Sequence, residues 1–185
     1  VDTDEMNAIL NSLAHRGKDH CQTIFGSTQP HANSPLSKKA NVALGHRRLS
    51  IIDLSESATQ PMAHDDGTLW LVFNGEIYNY LELRDEIKPL GPRFRTQSDT
   101  EVILVAYKQW GDECVLHLNG MFSFALWDDG QQKLFCARDH LGVKPFYYFQ
   151  TSEYIVFASE SKALLRFHNN RLDPFGLASY LLCSY

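Results

Sequence analysis

Asn74-Gly75-Glu76 closes the apolar run 68–73 and sets a side-chain amide beside an unshielded backbone N–H. Two adjacent donors of this kind could stabilise an oxyanion developing during acyl transfer. The same Asn-Gly dipeptide is also the strongest short hairpin signal. Residues 77–80 lead into a helical pattern and not into a second strand, which counts against the hairpin. A second candidate is Arg47-Arg48, inside the segment 45–53 (GHRRLSIID). Consecutive strand residues point to opposite faces, so one guanidinium meets solvent and the other faces inward. The inward one needs a carboxylate, either from an internal ion pair or from a ligand held in a bidentate fork. Asp99 stands at a helix start, where it serves as a cap or as an anionic partner for an ammonium group. Arg138-Asp139 reads as a strand-end ion pair before a turn, and His15-Arg16-Gly17 as a helix stop.

These residues have to be positioned by something. Met6, Ile9, Leu10 and Leu13 recur at helical spacing and predict a helix over 4–15, with Gly17 as a left-handed cap. A β segment at 22–25 follows, then a long Gly/Pro/Ser/Asn-rich loop at 26–40. Residues 41–52 read as a strand running into a turn, and 53–66 as turn-rich around Gln60-Pro61. The strand 68–73 is expected to stop at Asn74-Gly75. Helices are expected at 78–87, at 99–110 with Ser98 or Asp99 as cap, and at 112–118. The segments 122–127, 133–138, 146–149 and 154–158 predict an antiparallel meander, and 161–165 and 174–182 return to helix. Strands at both ends with a helical pair between them predict an α+β arrangement, not βαβ alternation.

Composition narrows the chemistry. The 185 residues are 44% hydrophobic and 21% charged, which is globular usage and excludes disorder or a coiled coil as the main state. The net charge is −5, and the only basic clusters are Lys38-Lys39 and Arg47-Arg48, too few for a nucleic-acid groove. No apolar run approaches the ~18 residues that span a bilayer. Cysteines 21, 114, 136 and 183 show no C-x-x-C pairing, so a reduced, cytoplasmic protein without a zinc site is expected.

The separate signals gain force in series. HRG (15–17), GHRRLSIID (45–53), QP (60–61), FNGEIYN (73–79), SDTE (98–101), LNGMFSFALWD (118–128) and ARDHLGVKPFYY (137–148) occur in one order. Together they resemble the glutaminase domain of class II glutamine amidotransferases, and within that class the glutamine-hydrolysing asparagine synthetase family. The resemblance runs over about residues 5–170. It implies the fold of N-terminal nucleophile hydrolases: a four-layer αββα sandwich of two antiparallel sheets. It also implies a catalytic cysteine, first residue of the mature chain within Cys-Gly-Ile, whose thiolate attacks the glutamine side-chain amide with its own α-amine as base.

By matching motif, the resemblance gives Asn74 and the Gly75 N–H the oxyanion hole, and Arg48 the glutamine α-carboxylate. It gives Glu76 and Asp99 the α-ammonium, and Leu49 and Ile52 the backbone lining of that pocket. It implies no metal and no cofactor on this chain. ATP and magnesium belong to a synthetase domain that amidates aspartate in asparagine biosynthesis, and its Ser-Gly-Gly-x-Asp-Ser loop does not occur in these residues. On this reading residues 1–170 are the glutaminase domain with its first strand missing, and 171–185 begin a linker helix. L-glutamine and the synthetase domain of the parent chain are the expected partners, and a homodimer is left open. The chain departs from the pattern in three ways: the nucleophilic cysteine, Lys18 where the family has proline, and the long 26–40 loop. The alternatives are a degenerate domain that binds glutamine without cleaving it, and a parent enzyme with an acceptor other than aspartate.

Overall fold

The computed structural model describes residues 3–26, 41–48, 59–167 and 173–183. Helix α1 (Thr3–Ser12) buries Met6, Ile9 and Leu10, one stripe of its surface, and a 3₁₀ turn (Ala14–Arg16) follows it. Gly17 is extended, with φ −152°, and not the left-handed cap expected from the sequence. A Cβ there would sit 2.5 Å from the Arg47 carbonyl, so glycine is needed for close approach to the next strand pair. That pair is β1 (His20–Gly26) and β2 (Val42–Arg48), antiparallel with His20 opposite Arg48. Of the loop expected over 26–40, Gly26 instead ends β1, and the rest, with the continuation at 49–52 that holds Leu49 and Ile52, lies outside the described residues.

The central sheet has the order β3-β4-β5-β6, from Met62–Ala63, Leu69–Ile77, Gly120–Asp128 and Lys133–Arg138. Strand β4 does not stop at Asn74-Gly75 as expected. It runs on to Ile77, with Gly75 opposite Phe122 and Ile77 opposite Gly120. A Cβ at Gly75 would collide with the Met121 carbonyl and lie 2.7 Å from the Phe122 Cα. The dipeptide that signals a turn is here a place where two strand backbones press together.

Helices α2 (Tyr80–Ile87) and α3 (Asp99–Trp110) cover one face of this sheet. Ser98 caps α3, its Oγ accepting from the Thr100 N–H at 3.1 Å, as the sequence predicts. The expected helix at 112–118 is a 3₁₀ segment, Gly111–Leu116. On the other face, Val72, Ala125 and Trp127 meet Leu44 of β2 together with Phe146 and Phe157. Phe157 belongs to a two-stranded ladder of β7 (Tyr147–Gln150) and β8 (Ile155–Ala158), which pairs apart from β6 and does not extend the meander. Helix α1 closes that side, with Ile9 packed against Ala158, Ala163 and Leu164. The order of layers is helices, sheet, strand ladders, helix, so the αββα sandwich is present with its second sheet in two pieces. The last helix, α4 (Pro174–Cys183), buries none of its residues, and 3₁₀ turns precede it where a helix at 161–165 was expected.

Candidate active site

Strand periodicity sorts the functional side chains. Along β4, Leu69, Leu71, Phe73 and Ile77 enter the helix-covered core, which leaves Asn74 and Glu76 on the opposite face. Along β2 the odd positions face α1. Gly45 would bring a Cβ within 3.1 Å of Leu10, and Arg47 donates to the Leu10 carbonyl at 3.1 Å and to Asn11 Oδ1 at 2.9 Å. The even positions face the central sheet: Leu44 packs on it, and His46 reaches the Phe73 carbonyl at 3.1 Å. Arg48 shares that even face, so the two arginines divide between α1 and the sheet.

A cavity of 880 Å³ lies between the central sheet and the strand ladders, and Arg48, Asn74, Gly75, Glu76 and Asp99 all line it. Five of the seven residues singled out in the sequence are therefore brought to one place, and Leu49 and Ile52 lie outside the described residues. Apolar side chains line much of the rest, among them Leu10, Leu44, Val72, Trp127 and Phe157.

The polar end is incompletely satisfied. Asn74 Nδ2 is buried and has no hydrogen-bond partner among the described residues, an arrangement that native interiors rarely tolerate without a ligand or water. Asp99 is buried, and its Oδ2 accepts the Ile77 N–H at 3.0 Å, which ties the first turn of α3 to the end of β4. Burial pushes the Asp99 carboxyl above its ordinary range; backbone N–H bonds oppose this and the nearby Glu76 charge adds to it. Two carboxylates at one end of a cavity repel each other, and a cation placed between them would relieve both.

Two residues that the sequence reading did not single out hold this end in shape. Gln60 Oε1 accepts the Phe73 N–H at 2.6 Å, while His46 takes the Phe73 carbonyl. Burial pulls the His46 pKa down to about 4; the bond to Phe73 opposes this, and the charges of Arg48 and His20 add to it. Both residues lie within quoted motifs, GHRR and QP, but a lone histidine or glutamine carries no periodic signal.

The flanking motifs act on backbone. Arg138 and Asp139 form no ion pair with each other. Arg138 donates to the Lys144 and Gly142 carbonyls at 2.6 and 2.5 Å. Asp139 accepts the N–H groups of Phe122, Leu141, Val143 and Lys144 at 2.8–3.2 Å, fixing the loop that brings Lys144 and Phe146 to the cavity. Burial pushes the Asp139 carboxyl up, but these bonds outweigh it and hold it at about 2. His15 and Arg16 do more than end a helix: both contact Glu160, at 2.8 and 3.0 Å, pinning α1 beside the end of β8.

None of the four cysteines lines the cavity. Cys114 is buried and pushed up to about 12 by burial and by Asp112, and burial pushes Cys136 up to about 11. Neither is a thiolate near neutral pH. Among the described residues no helix is long and apolar enough to cross a membrane.

Comparison with known proteins places this geometry. The family described as "Glutamine amidotransferase domain" matches residues 1–185, the whole chain. Asparagine synthetase [glutamine-hydrolyzing] 1 of Bacillus subtilis (strain 168) is 44% identical over 142 residues, covering 76% of this chain and 22% of that protein. Asparagine synthetase [glutamine-hydrolyzing] 3 of the same organism is 39% identical over 177 residues, covering 94% of this chain and 26% of its own length. The chain thus spans about a quarter of the curated relatives it matches. The solved glutamine phosphoribosylpyrophosphate amidotransferase of B. subtilis superposes with a TM-score of 0.71 at 24% identity, over 87% of this chain and 40% of that one. That likeness shows a shared fold. With the motif series, the sandwich and the match along its full length in agreement, the chain belongs to the glutamine amidotransferase domain family.

Proposed function

We propose that the cavity binds L-glutamine, with the α-carboxylate at Arg48, the α-ammonium at Glu76 and Asp99, and the side-chain amide at Asn74 and Gly75. The observation that carries this reading is the Asn74 Nδ2, a buried donor for which the described residues supply no acceptor. A carbonyl oxygen accepting from it would gain most as negative charge develops there. The charge pattern agrees: among the charged residues that border the cavity, Arg48, Glu76 and Asp99 offer the cation and the anions that a zwitterion requires.

Hydrolysis needs a thiolate, and the cavity has none of its own. In the proposed reaction a cysteine from a segment outside these 185 residues attacks the amide carbon. Its proton passes through its α-amine to the departing nitrogen, ammonia leaves, and water cleaves the thioester to glutamate. The parent protein then resembles an asparagine synthetase. A further domain, which would hold ATP and magnesium, spends the ammonia on aspartate in the cytoplasm. A second reading, glutamine binding without cleavage, is favoured because none of the four cysteines lines the cavity, and it describes the 185-residue chain taken alone.

The test is calorimetry with glutamine alongside an ammonia-release assay. The 185-residue chain should bind glutamine and release no ammonia, and a version extended to begin Cys-Gly-Ile should release it. Ammonia release by the unextended chain that survives Cys21→Ser and Cys136→Ser would refute the mechanism.

A further inference from the structure

We infer that His46, together with Gln60, is a positioning residue for Asn74: the two side chains hold both polar backbone atoms of Phe73 and so fix the peptide from which the Asn74 carboxamide projects. The inference rests on the proposed role of Asn74 toward glutamine.

The need for such a device follows from the sheet. Strand β3 is two residues long and covers β4 only at Leu71 and Trp70. On that edge the Leu69 carbonyl still receives the His64 N–H at 3.0 Å. Backbone groups of alternate strand residues point the same way, so the N–H and carbonyl of Phe73 also emerge on the β3 side, past the place where β3 ends. Unpaired and buried, each would carry the full desolvation cost of an unmade hydrogen bond. Gln60 Oε1 takes the N–H at 2.6 Å, and Gln60 Nε2 reaches Thr100 Oγ1 at 3.4 Å in the first turn of α3, next to Asp99. His46 takes the carbonyl from the opposite layer, on the same face of β2 as Arg48.

The chemistry of the ring sets its tautomer. A carbonyl only accepts, so Nε2 must carry the proton. Nδ1 is buried without a partner among the described residues, so a second proton there would find no acceptor among them. His46 therefore acts as a neutral Nε2–H donor. It links the carboxylate end of the cavity, through β2, to the amide end, through β4.

The bond can be read directly in the 185-residue chain. Nitrogen-15 spectra of the histidine rings should show His46 as the neutral Nε2–H tautomer at pH 7. The Asn74 carboxamide signals should shift in His46→Ala and return toward the wild-type positions in His46→Gln, whose amide nitrogen falls near that of Nε2. In the glutamine-hydrolysing parent protein, His46→Ala should lower kcat roughly tenfold or more with KM changed less than about threefold, and His46→Gln should recover most of that loss. A charged ring, an Nδ1–H tautomer, or Asn74 signals unmoved in a folded His46→Ala would overturn the inference. So would a loss confined to KM, or a His46→Gln as impaired as His46→Ala at equal melting temperature. A wild-type parent with no glutaminase activity would instead overturn the functional reading, and the spectra would still decide whether His46 positions Asn74.

Discussion

Strand β4 has two faces built on opposite terms. Leu69, Leu71, Phe73 and Ile77 are 0–5% exposed and lock into α2, α3 and the aromatic side chains of β5. Nothing polar from β4 points there, and these side chains belong to one buried apolar cluster. The other face carries Asn74 and Glu76 over a cavity of 880 Å³. There an amide donor and a histidine nitrogen lack partners, and two carboxylates stand near each other. The first face supplies the stability that the second spends. Unpaired donors and like charges are costs in the free chain and become favourable contacts when a ligand of the right shape and charge arrives.

This contrast breaks most visibly on the packed face. Phe124→Ala, removing a side chain 1% exposed, should destabilise the fold by about 3–5 kcal/mol in urea unfolding. Asn74→Ala should do the reverse of what burial suggests: melting temperature unchanged or slightly higher, because an unpaired donor is removed. Turnover in the extended, active chain should fall about 10²–10³-fold, with a smaller effect on affinity. Unchanged turnover with a raised KM would make Asn74 a ground-state contact.

Asp99→Asn sharpens the comparison further, because its two effects carry opposite signs. The asparagine oxygen can still accept the Ile77 N–H. The substitution removes a carboxylate whose charged form burial disfavours, so thermal melting of the free chain near neutral pH should show a gain in stability. Glutamine binding should weaken by roughly 1.5–3 kcal/mol, the worth of a hydrogen bond to a charged group.

The pH dependence of stability reports on two groups that shape the cavity side. His46 has a folded pKa of about 4 against 6.5. Its contribution is fully present above pH 6.5 and is lost as pH falls toward 4, at no more than about 1.4 kcal/mol per unit. His46→Gln should flatten that limb in urea titrations. Asp139, held at about 2 against 3.8, contributes above pH 3.8 and loses its effect as pH falls through 2. Asp139→Asn should flatten only this more acidic limb, the smallest of these effects to resolve.

How far the sequence is legible follows from the kind of signal each residue gives. The run 99–110 is periodic, carries its own cap at Ser98, and forms helix α3 over the same residues. The opposite facing of Arg47 and Arg48 needed only the two-residue period of a strand. Asn74-Gly75 misled in structure, as a strand stop, because the reason for Gly75 is contact with Phe122, 47 positions away. Gly17 misled likewise, since its constraint comes from the backbone of β2. His46 and Gln60 were invisible as a pair because only the short reach of β3 brings them to the same residue. The splitting of the second layer into two ladders also depends on pairing partners that local pattern does not specify.

The most direct test of a zwitterion pocket on the second face is a calorimetric titration of the 185-residue chain with L-glutamine, comparing wild type, Arg48→Ala and Arg47→Ala. Both arginines border the cavity, but Arg48 shares the sheet-facing side of β2 with His46, whereas Arg47 is engaged with α1 through Leu10 and Asn11. Arg48→Ala should weaken binding by about 1.5–3 kcal/mol, at least tenfold, and Arg47→Ala should leave affinity within about threefold while lowering the melting temperature. Equal affinities for the two variants, or a wild-type chain that does not bind glutamine, would contradict the account.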